Sequence, residues 1–307
     1  MNIAFSSRRQ VGKRAGGKKS KKVKGKLVDW LLVLAFIIGL LVLLYPSIAD
    51  YYNSLRQGRA IATYDAAVAK MTPQDFSRFW TAAEDYNRQL VNNPARLHMS
   101  PAQKTQYDSL LNITGDSMMG HLEIKKLGVS LPVYHGVEDE VLQIGVGHIP
   151  GTSLPTGGAG THVALSGHRG LPTSKLFTDL DQMVEGDRFV LHILDRSMAY
   201  VVDQVRVVKP DEVQNLQIVN GEDYVTLVTC TPYAINTHRL LVRGHRTSYL
   251  DDGGYVAADA VKVNPVLVSS FMSVPVFTIL FVWALTWTRR HRKRSAKQES
   301  YQIGGIG

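Results

Sequence analysis

Two long apolar runs stand near the ends of the chain and divide it. Leu27 to Tyr45 is apolar apart from Asp29 at its edge, and Val266 to Trp287 is predominantly apolar. Crossing a bilayer takes about 20 such residues, so both runs predict transmembrane helices. Pro275 lies inside the second, where a proline kinks a membrane helix without forbidding it. A cleaved signal peptide is the rival for the first run, but no small-x-small cleavage site follows it, and a long basic leader fits a retained anchor better.

Between the runs the period of the pattern changes once. From Asp50 to Asn92 it is helical: Tyr52, Leu55, Ile61, Tyr64, Val68 and Met71 recur at roughly helical spacing, with Gly58 as a weak point. A second helix starts at Thr72, with Pro73 at its first position and Asp75 in its first turn, and shows Phe76, Phe79, Trp80, Ala83 and Leu90 on one face. Ser100-Pro101-Ala102-Gln103 makes a near capping box for a third, short helix ending near Leu111. These helices either pack on the later domain or raise it above the membrane as a stalk.

From His121 onward short β-type runs alternate with Gly and Pro. The candidates are 121–126, 129–134, 162–166, 188–194, 199–208, 224–230 and 239–245, with a helical insert at Ser174–Leu180. Seven or eight short strands with turn signals predict a closed β-barrel. The organisation expected is a basic tail (1–26), a membrane helix (27–46), a helical region (47–112), a mainly β domain (113–250), a linker (251–265), a second membrane helix (266–288) and a basic tail (289–307).

The net charge of +9 is unevenly spread. Residues 1–26 hold ten Lys/Arg and no acid, and the tail from Arg289 holds six with the single Glu299. Of 35 bases and 26 acids this leaves 19 against 25, about −6 for residues 27–288. Nucleic-acid binding loses its footing, because it leaves a basic folded surface. The basic flanks instead place both termini in the cytosol and the middle of the chain outside.

The chemistry centres on TLVTCTPYAINTHRLLVR, Thr226 to Arg243, which holds the only cysteine. A β-branched run ends at Cys230, a polar loop follows, and strand character resumes at Arg239. A thiol at a strand end with an arginine returned beside it suits a nucleophile with a charge stabiliser, since the thiolate is the reactive form. A lone cysteine on an apolar strand is more often a small buried hydrophobe. HVALSGHRG, His162 to Gly170, supplies the second signal: another strand running into a glycine turn, with His168 at its mouth. One cysteine excludes an internal disulfide framework and a cysteine-rich zinc site. No phosphate-cradling loop or metal-ligand cluster is visible, so no metal or cofactor is expected; His148, His162 and His245 read as structural or surface residues.

LSGHRG around His168 and TLVTCTPYAINTHRLLVRG around Cys230 and Arg239 resemble the signatures of sortases, and specifically class C, the pilus-assembling sortases of Gram-positive bacteria. The similarity extends over residues 105–248 through SLLNITGDSMMGHLEI, LPVYHG, GVGHIPGTSLPTGG and GHRGLPTSKLFTDLD. The resemblance implies an eight-stranded barrel. It also implies a transpeptidase whose Cys230 attacks an LPXTG-like sorting signal, with His168 as general acid and base and Arg239 as the oxyanion's cation. Its partners would be pilin subunits, or a cell-wall precursor in sortases that anchor proteins to the wall. Thr229 and Thr231 either line the oxyanion site or are simply β-formers at a strand end.

Two departures from the class C pattern stand out. These enzymes usually carry an Asp-Pro-aromatic lid, and the corresponding stretch here, VNNPARLHMSP from Val91 to Pro101, has none. His98 and Met99 are its candidates for occupying the cleft, and autoinhibition is not carried over. His121 stands where the family often has an aromatic. Outside the sortase reading, a cysteine protease lacks an Asn or Asp in an orienting motif, and a silent pilin-binding scaffold has no reason to hold Cys230, His168 and Arg239 together.

Overall fold

The computed structural model describes residues 18–91, 93–248 and 265–304. In chain order, α1 (Lys18–Val68), α2 (Pro73–Val91) and α3 (Pro101–Ser109) precede β1 (Met118–Ile124), β2 (Val129–His135) and the single turn α4 (Asp139–Leu142). Then come β3 (Val146–His148), β4 (Thr161–Ser166), β5 (Arg188–Ile193), β6 (Arg196–Val208), β7 (Asp223–Thr231), β8 (His238–Arg246) and α5 (Pro265–Gly304). The expected linker falls outside the described residues, except for Pro265. The chain divides into two units, one within Met1–Tyr45 and Val263–Gly307, the other within Pro46–Lys262.

Two helices are long and apolar enough to cross a membrane, within Leu27–Val68 and Met272–His291. They run antiparallel. Phe36 stacks on Phe281 with ring centroids 4.3 Å apart, and Asp29 meets Arg289 at 3.3 Å. The basic residues from Lys18, part of the tail expected over residues 1–26, already belong to α1, because lysine is a good helix former and joins a helix that has already nucleated. Nor does Pro46 divide α1, which continues through it to Val68.

The second unit is a closed barrel in the order β1-β2-β3-β4-β7-β8-β6-β5. β2–β3 and β4–β7 are parallel; the other neighbours are antiparallel. Alternate residues fill the interior, among them Leu122, Leu131, Val163, Leu165, Leu191, Val225, Leu227 and Val242. The helices pack on this barrel. Trp80, Ala83 and Leu90 of α2 and Tyr107 of α3 join its core, and the Ser100–Gln103 capping box is formed. Tyr64 of α1 is buried, donating its hydroxyl to Met119 O at 2.7 Å and accepting from Leu194 N at 2.9 Å.

Two elements depart from expectation. β3 has three residues in a glycine-rich stretch, too short to show a period. Ser174–Leu180 is a chain of turns ending in a 3₁₀ turn at Leu180–Gln182, not a helix. Its buried Leu176, Phe177 and Leu180 mimic helical spacing, but each enters the core from an irregular backbone. His121 fills the place of the usual aromatic by stacking on His192, with centroids 4.4 Å apart.

His148 and His162 are structural. His148 Nε2 donates to Ser153 O at 2.8 Å, leaving Nδ1 to accept from the Tyr107 hydroxyl at 2.8 Å. His162 Nδ1 donates to Gln217 O at 2.7 Å and Nε2 accepts from the Thr226 hydroxyl at 2.8 Å. Each neutral ring is satisfied, and burial holds both pKa values down to about 4. The unfolded chain takes up these protons near pH 6.5, while the folded chain resists them to about pH 4. Stability is therefore lost as pH falls through that window, by at most roughly 3 kcal/mol per histidine. His121 and His135, also lowered by burial, act in the same direction. Thermal unfolding of the full chain in detergent should show a lower midpoint at pH 5 than at pH 7.5, with His162→Gln flattening part of the drop. Equal midpoints would contradict this.

Candidate active site

The strand pattern brings three chain segments to one rim of the barrel. β4 and β7 are parallel, with Ser166 opposite Val228, so both deliver their C-terminal ends there. Gly167 N donates to Val228 O at 3.0 Å, and extending the register by two places sets His168 beside Cys230. Neighbouring strands lie about 4.8 Å apart. β8 runs antiparallel to β7 and starts at the same rim, with Arg239 directly opposite Cys230. Cys230, His168 and Arg239 are each half-buried, open to solvent on one side. The register pairs Arg239 with Cys230, and its extension past Ser166 carries His168 to the same rim.

The return loop between β7 and β8 folds tightly. Ile235 N and Asn236 N both reach Pro232 O, at 3.1 and 2.9 Å, and Asn236 takes a left-handed φ of 59°. This turn places Asn236 O under Arg239, whose guanidinium donates to Asn236 O at 3.2 Å and to His238 O at 3.1 Å. Nη1 alone is anchored on backbone by both bonds, which fixes how Nη2 and Nε are presented.

Alternation along β7 places Val228 on the Cys230 side of the sheet. There Val228, its partner Leu241 and Val208 form a small cluster of their own, with Ile149 packed against it. Val208 pairs with Arg239, so this apolar patch adjoins the cysteine–arginine pair. Nothing in the sequence marked these four residues as a group, since they come from four separate segments.

The Thr229 hydroxyl is committed elsewhere. It is buried and donates to Gly167 O at 2.7 Å, tying β7 to the loop that carries His168. Thr231 Oγ1 accepts from Arg169 at 3.2 Å. The Thr229 proton is therefore not free for an oxyanion, whereas Thr231 accepts from Arg169 and keeps its own hydroxyl proton to donate. His98 is exposed, and Met99 packs against the main core. Their segment is hooked by Arg96, which donates to Gly151 O at 2.6 Å and Leu216 O at 2.9 Å. Thr152 and Ser153, next to Gly151, bond to β4 at Ala164 and His162. Those positions face Thr226 and Tyr224, four and six residues before Cys230 on β7, roughly 13–20 Å along the strand. The Arg96 bonds thus fasten the segment beside the loop that precedes β4. Among the described residues no group of three or more His, Cys, Asp or Glu side chains is set to hold a metal ion.

A barrel that carries a thiol, an imidazole and a guanidinium on one rim has the parts of a thiol-dependent acyl transferase. A family model for the sortase domain matches residues 122–247. The crystal structure of sortase C1 from Streptococcus agalactiae is 49% identical with a TM-score of 0.60, covering 62% of this chain and 98% of that one. A Streptococcus pneumoniae sortase C, studied for its catalysis and pilin substrate specificity, is 40% identical with a TM-score of 0.57, covering 62% and 97%. Among curated proteins, sortase A of Bacillus anthracis is 23% identical over 221 residues, 72% of this chain and 95% of that protein. The chain belongs to the sortase family of cysteine transpeptidases. Within that family it falls with the class C enzymes.

Proposed function

We propose that this sortase is a membrane-anchored pilin polymerase. Cys230 attacks the threonine carbonyl of an LPXTG-like signal; the C–N bond to glycine breaks, and His168 gives the departing amine its proton. A lysine amine of another pilin then attacks the thioacyl group, His168 takes its proton, and the thiolate leaves as an isopeptide bond forms. Arg239 stabilises the oxyanion in both steps. The observation that supports this reading is the shared rim: Arg239 pairs with Cys230 on β8 and β7, and the parallel β4–β7 register, extended past Ser166, points His168 to the same end.

The apolar patch of Ile149, Val208, Val228 and Leu241 suits the leucine and proline of the signal. Likeness to class C enzymes supports a pilin lysine as the incoming amine. The antiparallel apolar helices support a two-pass anchor. With basic residues at the same end of both, that end is cytoplasmic and the barrel extracellular.

The test uses the full chain in detergent, a pilin bearing an LPXTG-type signal, and two competing amines: a second pilin offering its lysine, and a wall-peptide amine. Isopeptide-linked pilins as the main product support polymerisation. Exclusive transfer to the wall peptide would instead make the protein a wall-anchoring sortase.

A further inference from the structure

The LSGHRG motif holds a second cation, Arg169, to which the proposed chemistry assigns no part. It follows His168 directly, yet its side chain is only 10% exposed. One guanidinium nitrogen donates to Thr231 Oγ1 at 3.2 Å, on the residue after Cys230; another pairs with Asp181, beyond the turns after β4. Nε is buried without an acceptor.

Two further contacts pack around His168. Gly170, at φ 78°, lies directly under the Tyr233 ring: a Cβ there would meet a ring carbon at 2.6 Å. Phe177 covers Gly167 in the same manner, at 2.7 Å, and donates its N–H to His168 O at 3.1 Å. The two residues after His168 are thus both held to the cysteine loop, while Phe177 braces the histidine from within its own loop.

A buried guanidinium with one orphaned N–H and a half-exposed counter-ion is a poor device for stability, since desolvation offsets most of its attraction. Its geometry is better explained by what it holds. We infer that Arg169 is a positioning residue that sets His168 against Cys230 by bridging Thr231 and Asp181, with Tyr233 on Gly170 as the second half of the latch. The inference rests on the proposed roles of His168 and Cys230. Arg169 touches neither substrate nor thiol; it acts through the spacing of the two groups that exchange the proton, and a misplacement of about 1 Å there costs on the order of 100-fold in rate.

The test compares Arg169→Gln, Arg169→Lys and Thr231→Val in the full-length detergent-solubilised enzyme, measuring kcat and KM for transfer of an LPXTG-type peptide to a lysine amine, with thermal midpoints alongside. Thr231→Val removes the hydroxyl on the cysteine side and leaves Arg169 and Asp181 in place, so it reads the latch if Arg169→Gln does not fold. Expected are a kcat loss of at least about tenfold in Arg169→Gln and Thr231→Val with KM within about twofold, and partial recovery in Arg169→Lys, which keeps the Asp181 pair. The inference is overturned if kcat stays within twofold in the folded variants, or if it falls only together with a matching rise in KM. Cys230→Ala run in parallel separates the two ideas. Activity surviving that change removes the proposed function; a dead Cys230→Ala beside fully active Arg169 and Thr231 variants removes only the latch.

Discussion

Replacing Cys230 with alanine is expected to abolish peptide transfer, with a loss of at least about 10⁴-fold, and to leave the barrel intact. The size comes from the chemistry: without sulfur no thioacyl group forms, and no other residue on the rim is a comparable nucleophile. The structural cost is small because Cys230 is half-buried at the end of β7, outside the packed interior, so the change in unfolding free energy stays under about 1 kcal/mol. Transfer rate and the thermal midpoint, measured on the same preparation, separate the two effects. Transfer persisting at a tenth of the normal rate would remove Cys230 from the mechanism.

The second large effect is at Arg239. Arg239→Lys keeps the charge but loses the planar fork, and the fork is what this site uses. One nitrogen, Nη1, bonds to both Asn236 O and His238 O, so Nη2 and Nε are aimed by backbone that does not move with the side chain. A lysine ammonium, a point charge on a flexible stem, cannot hold that anchor and present a second donor in a fixed direction. Removing an oriented oxyanion donor costs roughly 100- to 1,000-fold in kcat, and the lysine variant should fall in that range with KM little changed. If long-range charge alone mattered, the lysine enzyme would run near the normal rate. That result would take the oxyanion role away from Arg239.

The parts of the fold legible in the sequence were those carrying a regular period. The β-branched run into Cys230 and the resumption at Arg239 predict β7 and β8 to within a residue or so, and Ser100 with Gln103 announces α3. β3 stayed hidden because three residues among glycines carry no period. Leu176, Phe177 and Leu180 misled in the opposite way: their spacing is helical, but they are buried by a loop that must cross Gly167, so tertiary packing overrode local pattern. The apolar run's end set a boundary between residues 46 and 47, yet α1 continues through Pro46 to Val68.

The site divides along the same line. Cys230, His168 and Arg239 sit in motifs contiguous in sequence, and the strand register then sets them side by side. What supports them is not contiguous. Asp181 lies twelve residues beyond Arg169, Tyr233 reaches Gly170 from another strand pair, and the apolar patch draws on four segments. Arg169 did carry a visible signal, as a second cation inside the histidine motif; only the burial of its side chain turns that signal into an argument. The stretch around His98 and Met99 shows the reverse. Its place in the chain suggests a lid, while Arg96 fastens it beside the first half of β4.

The most direct test of the account is a mass measurement. The full chain in detergent is incubated with an LPXTG-type peptide and no amine, then digested and analysed for the cysteine-bearing fragment. The account predicts an acyl adduct on Cys230 equal to the signal up to its threonine, with the glycine portion released, and conversion of that adduct to an amide when a lysine amine is added. Amide product formed while Cys230 stays unmodified at every time point would contradict it.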